Sequence, residues 1–524
     1  MKDSFLFQNR SALVLLTVLF LALAFLRIQF PDLDHGDEFS DANILSAGQN
    51  FAKFGFIRCR FLPAFEMNLK APAGLYTHVP PLPDVLNGLW RMLFKTDSLV
   101  FFRAIALMVA FLNLLFWYLF VREFSGSVLF GFLAGLFYAS NSMFLFCVDS
   151  LHQPSYVDML RSLIFLLFLL ITVSPERKSR SLWLVWALYF LSSLLSFEYL
   201  LYLAIFFIFF PLCFRKTQKS AYPKLFICLL MLAPLFGFLL HFLQNTWYFG
   251  SFSGAMQDLK RAAIERVVHS KDMPFGKLTF AIWGEHAIGR NFSLSFMFNY
   301  YLLSSMLFVA FFFYGQLAKE TKQKIRPLIN LWGLMLFCGV SWYVVFPAHT
   351  VAHTYVNFLG RHLVPAASLF FALFAYIIYN YVKEKHRRSP SGLAFFVLLV
   401  LSLAGAGILA SQLPVTAESR AQSRDFLKFK DCLLRLKSIS KPEAVIGVNY
   451  YRSPFLRYYT QRNYKSIFNR EDLEAQTALP DYFIFLPYND QRSLELLRLV
   501  QEKYVPLFQC SSLRFSAIFC KLKK

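Results

Sequence analysis

Long apolar runs alternate with short basic loops over the first four fifths of the sequence. Because about 20 apolar residues in a helix cross a bilayer, we expect about 11 transmembrane spans. The fifth and sixth runs are short and separated only by Glu198, but basic loops flank the pair on both sides, which favours a hairpin. The spans are predicted at Ser11–Ile28, Ser98–Val121, Ser127–Val148, Val157–Val173, Ser181–Phe197, Tyr199–Phe214, Lys224–Phe242, Met297–Ala318, Pro327–Phe346, Leu363–Val382 and Leu393–Leu413.

The sequence after residue 413 changes character. It is polar, with strand-like runs at Ala444–Val448, Tyr482–Leu486 and Arg514–Lys521 and a helical pattern at Ser493–Tyr504. The patterns predict a polytopic α-helical membrane protein with a C-terminal extracytoplasmic α/β domain. We expect a transmembrane module at residues 1–413, with a large first outer loop at 31–97, and a soluble domain at 414–524.

Orientation follows from lysines and arginines in the short loops. Four basic loops, at residues 177–180, 215–224, 319–326 and 383–388, fall on the same side as Lys2 and Arg10. The first span has no convincing cleavage site after it, so it is predicted to stay as a signal anchor. We therefore expect a protein integral to a bacterial inner membrane, with a cytoplasmic N-terminus and a periplasmic C-terminus.

Composition supports the membrane class. The chain is 57% hydrophobic and 16% charged, with a mean hydropathy of +0.47, which excludes a large water-soluble enzyme. The net charge of +22 would suggest nucleic acid on a soluble protein. Much of this charge lies in the predicted cytoplasmic loops, so it is a topology signal, and the expected partner is the lipid bilayer rather than nucleic acid.

Acidic residues cluster directly after the first span. If this segment is helical, their spacing of i, i+3, i+4 and i+7 places them on one face. Such charges favour a helix N-terminus through the macrodipole, or they hold a cation or keep one carboxylate basic. The four residues are Asp34, Asp37, Glu38 and Asp41.

The pattern that follows these acids predicts an amphipathic helix from Asp37 to Phe54. Ala42, Leu45 and Ala52 form its apolar side, and Gly55 ends it. A helix entered straight from a membrane span is expected to lie along the interface.

A second acidic position lies at an outer turn between the third and fourth spans. Asp149 and Asp158 flank this turn, and Arg161 follows Asp158 by three residues. Ionisable groups at the mouth of a span are costly unless they are paired or solvated. Asp158 is therefore a candidate functional carboxylate, or else it forms only a local ion pair with Arg161.

The end of the first outer loop carries three further features. His78 is a candidate ligand for a phosphate or a metal, or forms a structural hydrogen bond. The prolines at 80, 81 and 83 force an extended turn, after which a helix is predicted at Asp84–Phe94. Arg103 lies just inside the second span.

Histidines and an arginine are concentrated between the ninth and tenth spans. His349 and His353 are spaced i, i+4, which suits a metal on one helical face. Arg361 and His362 stand where the tenth span begins, and we expect them to bind a lipid phosphate. Interfacial anchoring is the alternative for these residues. A mixed-charge amphipathic helix is also predicted at Met256–His269.

The order of these elements resembles a known family. An Asp-Glu pair follows the first span, a Pro-Pro turn precedes the second, an arginine lies early in the second, and an aspartate opens the fourth. This is similar to the GT-C glycosyltransferases, especially the branch of protein O-mannosyltransferases and the lipid A aminoarabinose transferase. The resemblance covers roughly residues 13–365.

The resemblance implies transfer of a sugar from a polyprenyl-phosphate carrier to an acceptor hydroxyl on the extracytoplasmic side, with inversion. The acceptor is a lipid, a glycan or a protein. By resemblance Asp37 is the base or orients the acceptor, Glu38 completes the pair, and Asp158 is the acid of the fourth span. Asp34 departs from the family pattern and leaves the choice of base between Asp34 and Asp37 open.

Lipid-phosphate contacts are assigned to Arg361, His362, His78, Arg103 and Arg161. The residues allow metal-free catalysis or a divalent metal ion, and no organic cofactor is expected. The candidate metal ligands are Asp37, Asp158, His349 and His353.

Two other functions fit the same pattern less well. A transporter or flippase usually places ionisable residues near the bilayer midplane, whereas here the spans are nearly free of them. A lipid-linked oligosaccharide ligase or polymerase also works outside, but the early Asp-Glu pair disfavours it. In the exported tail, Cys510 and Cys520 either form a disulfide or remain free thiols.

Overall fold

A computed structural model describes residues 2–28, 38–66, 73–173, 178–214, 224–267, 280–285, 300–352, 359–385, 396–397, 399–405, 427–449, 453–487, 491–511 and 516–523. The helices up to residue 385 are α1 Lys2–Ile28, α2 Glu38–Phe54, α3 Leu82–Phe94, α4 Leu99–Ser125, α5 Val128–Ala139, α6 Ser142–Phe146, α7 Gln153–Val173, α8 Lys178–Leu195, α9 Glu198–Cys213, α10 Lys224–Phe249, α11 Phe252–Val267, α12 Phe280–Trp283, α13 Tyr300–Gln316, α14 Lys319–Val345, α15 Pro347–Ala352 and α16 Val364–Lys385. A 3₁₀ helix, Leu359–Leu363, leads directly into α16.

The chain forms two compact units. The first comprises residues 1–29, 78–80 and 100–414, and the second comprises residues 30–77, 81–99 and 415–524. The second unit thus unites the first outer loop with the tail. The sequence-based division into a transmembrane module at 1–413 and a soluble domain at 414–524 stays a prediction.

Apolar helices dominate the first unit. Five described helices are long and apolar enough to cross a membrane, at Leu99–Ser125, Ser155–Thr172, Ile227–Phe249, Lys319–Val345 and Gly360–Lys385. Five shorter apolar helices are Asn9–Phe25, Val128–Ala139, Leu182–Leu195, Glu198–Cys213 and Leu303–Gln316. The chain is an integral membrane protein, while the count of 11 spans and the direction in which they cross stay predictions. Most of the eleventh predicted span lies outside the described residues.

The predicted hairpin at residues 181–214 is present as two helices, α8 and α9. The break between them is short, and α9 begins at Glu198, the polar residue that separates the two apolar runs in the sequence.

In the second unit, α2 packs against α3. Helix α2 ends where Gly55 adopts a positive φ of 84°, a conformation that glycine adopts without a steric penalty. Ala42 and Leu45 are fully buried as predicted, but Ala52 is exposed, so its assignment to the apolar side was wrong. The buried side of α2 instead ends on Phe51, which packs with Cys59 and Ala47.

The tail contributes a helix at residues 427–439, then α17 Ser453–Thr460, α18 Arg470–Glu474 and α19 Gln491–Lys503. The strands of the second unit are β1 Ala64–Glu66, β2 Ala73–Leu75, β3 Val445–Val448, β4 Asn463–Ser466, β5 Tyr482–Phe485, β6 Tyr504–Ser511 and β7 Ser516–Leu522. Strands β1 and β2 form an antiparallel pair.

The five tail strands form one sheet in the order β4-β3-β5-β7-β6. Strand β3 runs parallel to both neighbours, whereas β7 is antiparallel to β5 and β6. The core on this sheet is apolar and includes Phe483, Phe485, Leu496 and Val500. The strand-like runs and the helical pattern predicted from the tail sequence therefore correspond to elements of this sheet and to α19.

The tail disulfide joins Cys432 to Cys510, and Cys520 is a free, buried thiol. The alternative of a bond between Cys510 and Cys520 is therefore wrong. On the antiparallel pair of β6 and β7, Cys510 lies opposite Ala517 and Cys520 lies opposite Pro506. The strand register thus separates the two cysteines.

Candidate functional site

The N-terminal ends of three apolar segments of the first unit meet in one buried cluster. Asp158 and Arg161 lie in the second and third turns of α7, Glu198 and Tyr199 open α9, and Arg361 lies in the 3₁₀ helix before α16. Helix N-termini carry partial positive charge and favour anions. This cluster is called the Asp158 cluster below.

Two guanidinium groups share the carboxylate of Asp158. Nη2 of Arg161 lies 3.0 Å from Oδ1 of Asp158, and Nε of Arg361 lies 3.5 Å from Oδ2. The Tyr199 hydroxyl donates to Oδ1 of Asp158 at 2.9 Å and accepts from Nη2 of Arg361 at 2.7 Å. Arg161 and Arg361 are 0% and 2% exposed, so one carboxylate is balanced by two buried positive charges.

Several donors in this cluster are not used. Among the described residues, Nε and Nη1 of Arg161 and Nη1 of Arg361 have no hydrogen-bond partner, and Nε of Arg361 has only its longer ion-pair contact with Asp158. Leaving a buried donor unsatisfied costs about 1–3 kcal/mol, and more for a charged group. The arrangement is therefore suited to an additional anion.

A network of polar side chains holds Arg161 in position. Its Nη2 donates to the Tyr138 hydroxyl at 3.2 Å, and Nδ2 of Asn113 donates to the same hydroxyl at 3.0 Å. Ser162 in turn donates to Oδ1 of Asn113 at 2.6 Å. The guanidinium also lies over the rings of Tyr199 and Tyr202, 5.3 and 5.1 Å from their centroids, where cation–π attraction holds it.

Glu198 extends the cluster towards two histidines. Its carboxylate lies 3.9 Å from Nε2 of His349 and 3.7 Å from Nε2 of His362. The His362 ring packs on Tyr199 with a centroid distance of 4.5 Å. Glu198 is thus placed with the histidines, and Asp158 with the arginines.

Gly339 of α14 permits the close approach of the 3₁₀ helix. A Cβ atom at this position would lie 2.7 Å from the backbone oxygen of His362 and 3.0 Å from the Leu363 side chain. Only glycine therefore fits without displacing the backbone that carries Arg361 and His362.

An apolar cavity of about 500 Å³ adjoins the cluster. Its walls include Leu200, Met231 and Phe238, and Glu198 and His349 supply polar groups in its lining. Such a cavity, mainly apolar with a few convergent polar groups, is typical of a ligand site.

His78 lies next to residues that line this cavity. Its Nε2 lies 3.0 Å from Oδ1 of Asp258 in α11, and the next two residues, Val79 and Pro80, line the cavity. Helix α11 is the amphipathic helix predicted at Met256–His269, and its Ala263 also lines the cavity. His78 therefore has a structural partner.

Arg103 belongs to a second cluster, centred on Asp149. Its Nη1 donates to the Asp149 backbone oxygen at 2.8 Å and lies 3.7 Å from Oδ2. Nη2 of Arg27 donates to Oδ1 of Asp149 and to the Phe146 carbonyl, both at 3.0 Å. This group is called the Asp149 cluster below.

The structure thus brings together four of the predicted site residues, Asp158, Arg161, Arg361 and His362, and links His349 to them through Glu198. Asp34, Asp37 and His353 lie outside the described residues, as does the side chain of Glu38. In the described part of the chain, no group of three His, Cys, Asp or Glu side chains is arranged to hold a metal ion. Reasoning from sequence missed Tyr199 and the role of Glu198, although a lone acid between two apolar runs was a usable signal.

Comparison of the sequence with protein-family models and with curated proteins gives no match. Comparison of the structure with solved structures does give matches. ArnT from Cupriavidus metallidurans, solved bound to undecaprenyl phosphate, is similar with a TM-score of 0.57 and 10% identity over 96% of this chain and 97% of that one.

The oligosaccharyltransferase of Archaeoglobus fulgidus is also similar. Its apo form gives a TM-score of 0.53 with 13% identity over 90% of this chain and 69% of that one. A form tethered to an acceptor peptide gives 0.51 with 13% identity over 98% of this chain and 74% of that one. The chain therefore has the fold of the GT-C glycosyltransferases.

Proposed function

We propose that this protein is an integral-membrane glycosyltransferase. It transfers a sugar from a polyprenyl-phosphate carrier to an acceptor hydroxyl on the extracytoplasmic face, with inversion at the anomeric carbon. The observation that carries this proposal is the Asp158 cluster, in which two buried arginines have unused donors and Glu198 lines an apolar cavity.

The cluster and the cavity match the two halves of such a carrier. A prenyl chain is apolar and suits the cavity, whereas the phosphate needs cationic hydrogen-bond donors. Arg361 and Arg161 supply these donors, and burial strengthens their attraction to an anion because the local dielectric constant is low. Among solved proteins of this fold, one is described as bound to undecaprenyl phosphate.

The same donors serve the chemical step. As the glycosidic bond to the carrier breaks, negative charge develops on the leaving phosphate, and fixed guanidinium groups stabilise that charge. Tyr199, which bonds to both Asp158 and Arg361, holds the Arg361 guanidinium in place. Asp158 acts in this proposal as the anchor of the arginines.

The acceptor hydroxyl must lose its proton as it attacks, which requires a carboxylate within hydrogen-bond reach. We assign this role to Asp37 on the family resemblance, with Asp34 as the alternative, and Glu38 as its neighbour in the pair. A divalent metal held by Asp37, His349 and His353 stays a proposal. Asp158 is a poor additional ligand, since two guanidinium groups and a hydroxyl already contact its carboxylate.

The disulfide of the tail supports the proposed orientation. Disulfides persist in oxidising compartments outside the cytoplasm, and Cys432 is bonded to Cys510. We therefore infer that the second unit is extracytoplasmic, in agreement with the positive-inside assignment of a cytoplasmic N-terminus.

The proposal is tested by supplying purified protein with polyprenyl-phosphate sugars and a panel of lipid, glycan and peptide acceptors. We expect consumption of one carrier sugar, and its loss in Asp37→Asn, while the exposed control Asp431→Asn keeps wild-type turnover. Normal turnover by Asp37→Asn would contradict the assignment of Asp37 as the catalytic base. If the wild type consumed no carrier sugar, the proposed glycosyltransferase activity would be refuted.

A further inference from the structure

A second cavity lies entirely within the second unit. It has a volume of about 670 Å³, within the range of small-molecule sites. Helices α2 and α3 supply one part of its lining, and the tail supplies the rest. The lining comprises Gln49, Asn50, Ala52, Lys53, Arg91, Lys95, Thr96, Asp97, Lys437, Pro442, Gln461 and Arg462.

The charge of this cavity is strongly one-sided. Five lining side chains are cationic and one, Asp97, is acidic. Asp97 forms an ion pair with Arg91, and the lining as a whole carries five cationic side chains against this single carboxylate. Like charges this concentrated repel one another, and an anionic ligand would relieve the repulsion.

Arg462 is built into the cavity wall in an unusual way. Nη2 donates to the backbone oxygens of Ser440 and Lys437 at 2.7 and 3.0 Å, and Nη1 donates to those of Gln461 and Thr460 at 3.0 and 3.2 Å. Among the described residues no carboxylate forms an ion pair with this guanidinium. Nε also donates to the Ser440 hydroxyl at 3.1 Å. All five donors of Arg462 are therefore used, and this residue gives the cavity positive charge rather than a hydrogen bond.

Lys437 lies beside this fixed charge. Burial and the neighbouring Arg462 guanidinium lower the pKa of Lys437, as expected where cations are crowded. The backbone of the lining is also constrained, because Lys95 and Gln461 have positive φ angles of 49° and 53°. Non-glycine residues adopt this conformation rarely, and they cluster at ligand sites.

We propose that this basic cavity binds a phosphate ester, at a site separate from the Asp158 cluster. Lysine and arginine together, with a surplus of positive charge, suit an anionic phosphate group better than a neutral sugar. The ester belongs either to a lipid headgroup or to a soluble phosphorylated sugar, and these two sources present the same chemistry to the cavity.

Calorimetric titration of the full-length protein in neutral detergent tests this proposal. The soluble probes are inorganic pyrophosphate and glucose 1-phosphate, and the lipid probes are short-chain phosphatidylglycerol and, for comparison, phosphatidylcholine. We expect one of the phosphate probes to bind at low salt and to weaken as salt rises. Binding of glucose 1-phosphate indicates a soluble ligand, and binding of phosphatidylglycerol but not phosphatidylcholine indicates a headgroup.

The double variant Lys53→Gln, Lys437→Gln is expected to raise the Kd at least about tenfold, because two cations of the lining are lost. The matched control Lys428→Gln, Lys441→Gln changes two exposed lysines outside the lining and should bind as the wild type does. Arg361→Gln should also bind as the wild type does, which separates this site from the Asp158 cluster and its outcome from that of the proposed enzyme.

Three results would overturn the proposal. They are binding of none of the phosphate probes by the wild type, an unchanged Kd in the double lysine variant, and loss of binding in Arg361→Gln alone.

Discussion

In the first unit, the Asp149 cluster and the Asp158 cluster each contain one buried aspartate that contacts two buried arginines. In the Asp149 cluster, the arginines also donate to backbone carbonyls, at Phe146 for Arg27 and at Asp149 itself for Arg103. These bonds tie down the segment between α6 and α7.

In the Asp158 cluster, the arginines instead contact side chains, and four guanidinium nitrogens of Arg161 and Arg361 have no hydrogen-bond partner among the described residues. Glu198 of this cluster also lines the apolar cavity. The comparison indicates that one aspartate with two arginines can serve two purposes. In the Asp149 cluster the arginines are bound to the backbone and stabilise the fold, whereas in the Asp158 cluster the arginines keep unused donors for a ligand.

The largest effect is expected for Arg361→Gln. Removing a fixed donor that stabilises developing charge typically lowers kcat by about 10²–10³-fold, and the initial rate of sugar transfer by purified protein measures it. Arg326→Gln, an exposed position on α14, is the matched control. A rate within twofold of wild type for Arg361→Gln would show that the Asp158 cluster, like the Asp149 cluster, has no direct part in the reaction.

Arg27→Gln should instead destabilise the protein. Breaking one partner of a buried ion pair costs about 3–5 kcal/mol, here reduced towards about 3 kcal/mol because Arg103 still contacts Asp149. Thermal unfolding in detergent should show a lower midpoint, whereas transfer by the fraction that remains folded should be close to wild type. A stable Arg27→Gln protein that lacks activity would contradict the structural role.

Gly339→Ala tests the placement of Arg361 without changing any charge. The added Cβ would press on the backbone oxygen of His362 and displace the 3₁₀ helix, so we expect about a tenfold loss of activity. Gly333→Ala, on the same helix with open space around it, should retain activity. Equal rates for the two variants would show that the position of the 3₁₀ helix is not critical.

Asp84 in α3 offers a third case, a buried carboxylate with no arginine partner among the described residues. Burial raises its pKa to about 7, well above the unfolded value of about 3.9. The folded chain therefore retains this proton between the two values, so stability falls as the pH rises from about 4 to about 7 and then levels off.

Asp84→Asn should remove this part of the pH dependence, which amounts to about 2 kcal/mol between pH 5.5 and 7. Thermal midpoints of the wild type and the variant across that range measure it. Parallel curves for the two proteins would show that Asp84 is ionised in the folded state.

Local patterns in the sequence were sufficient for much of this fold. Helices α3 and α11, the hairpin of α8 and α9, and the i, i+3 pair of Asp158 and Arg161 depend on residues that are close along the chain. The meeting of Asp158, Tyr199 and Arg361 depends on packing between α7, α9 and the segment before α16. No spacing in the sequence encodes that contact.

The same reason explains what was missed in the second unit. Cys432 and Cys510 are separated by 78 residues, and the basic cavity combines α2, α3 and the tail. Ala52 was assigned to the apolar side of α2 from its periodicity alone, but in the folded unit it lines this polar cavity.

The most direct test is the affinity of the protein for a short-chain polyprenyl phosphate compared with the polyprenol of the same length. If the Asp158 cluster binds the carrier phosphate, the wild type should prefer the phosphate by at least about tenfold, and Arg361→Gln should bind both compounds equally weakly. Equal binding of phosphate and alcohol by the wild type, or an undiminished preference in Arg361→Gln, would contradict the account.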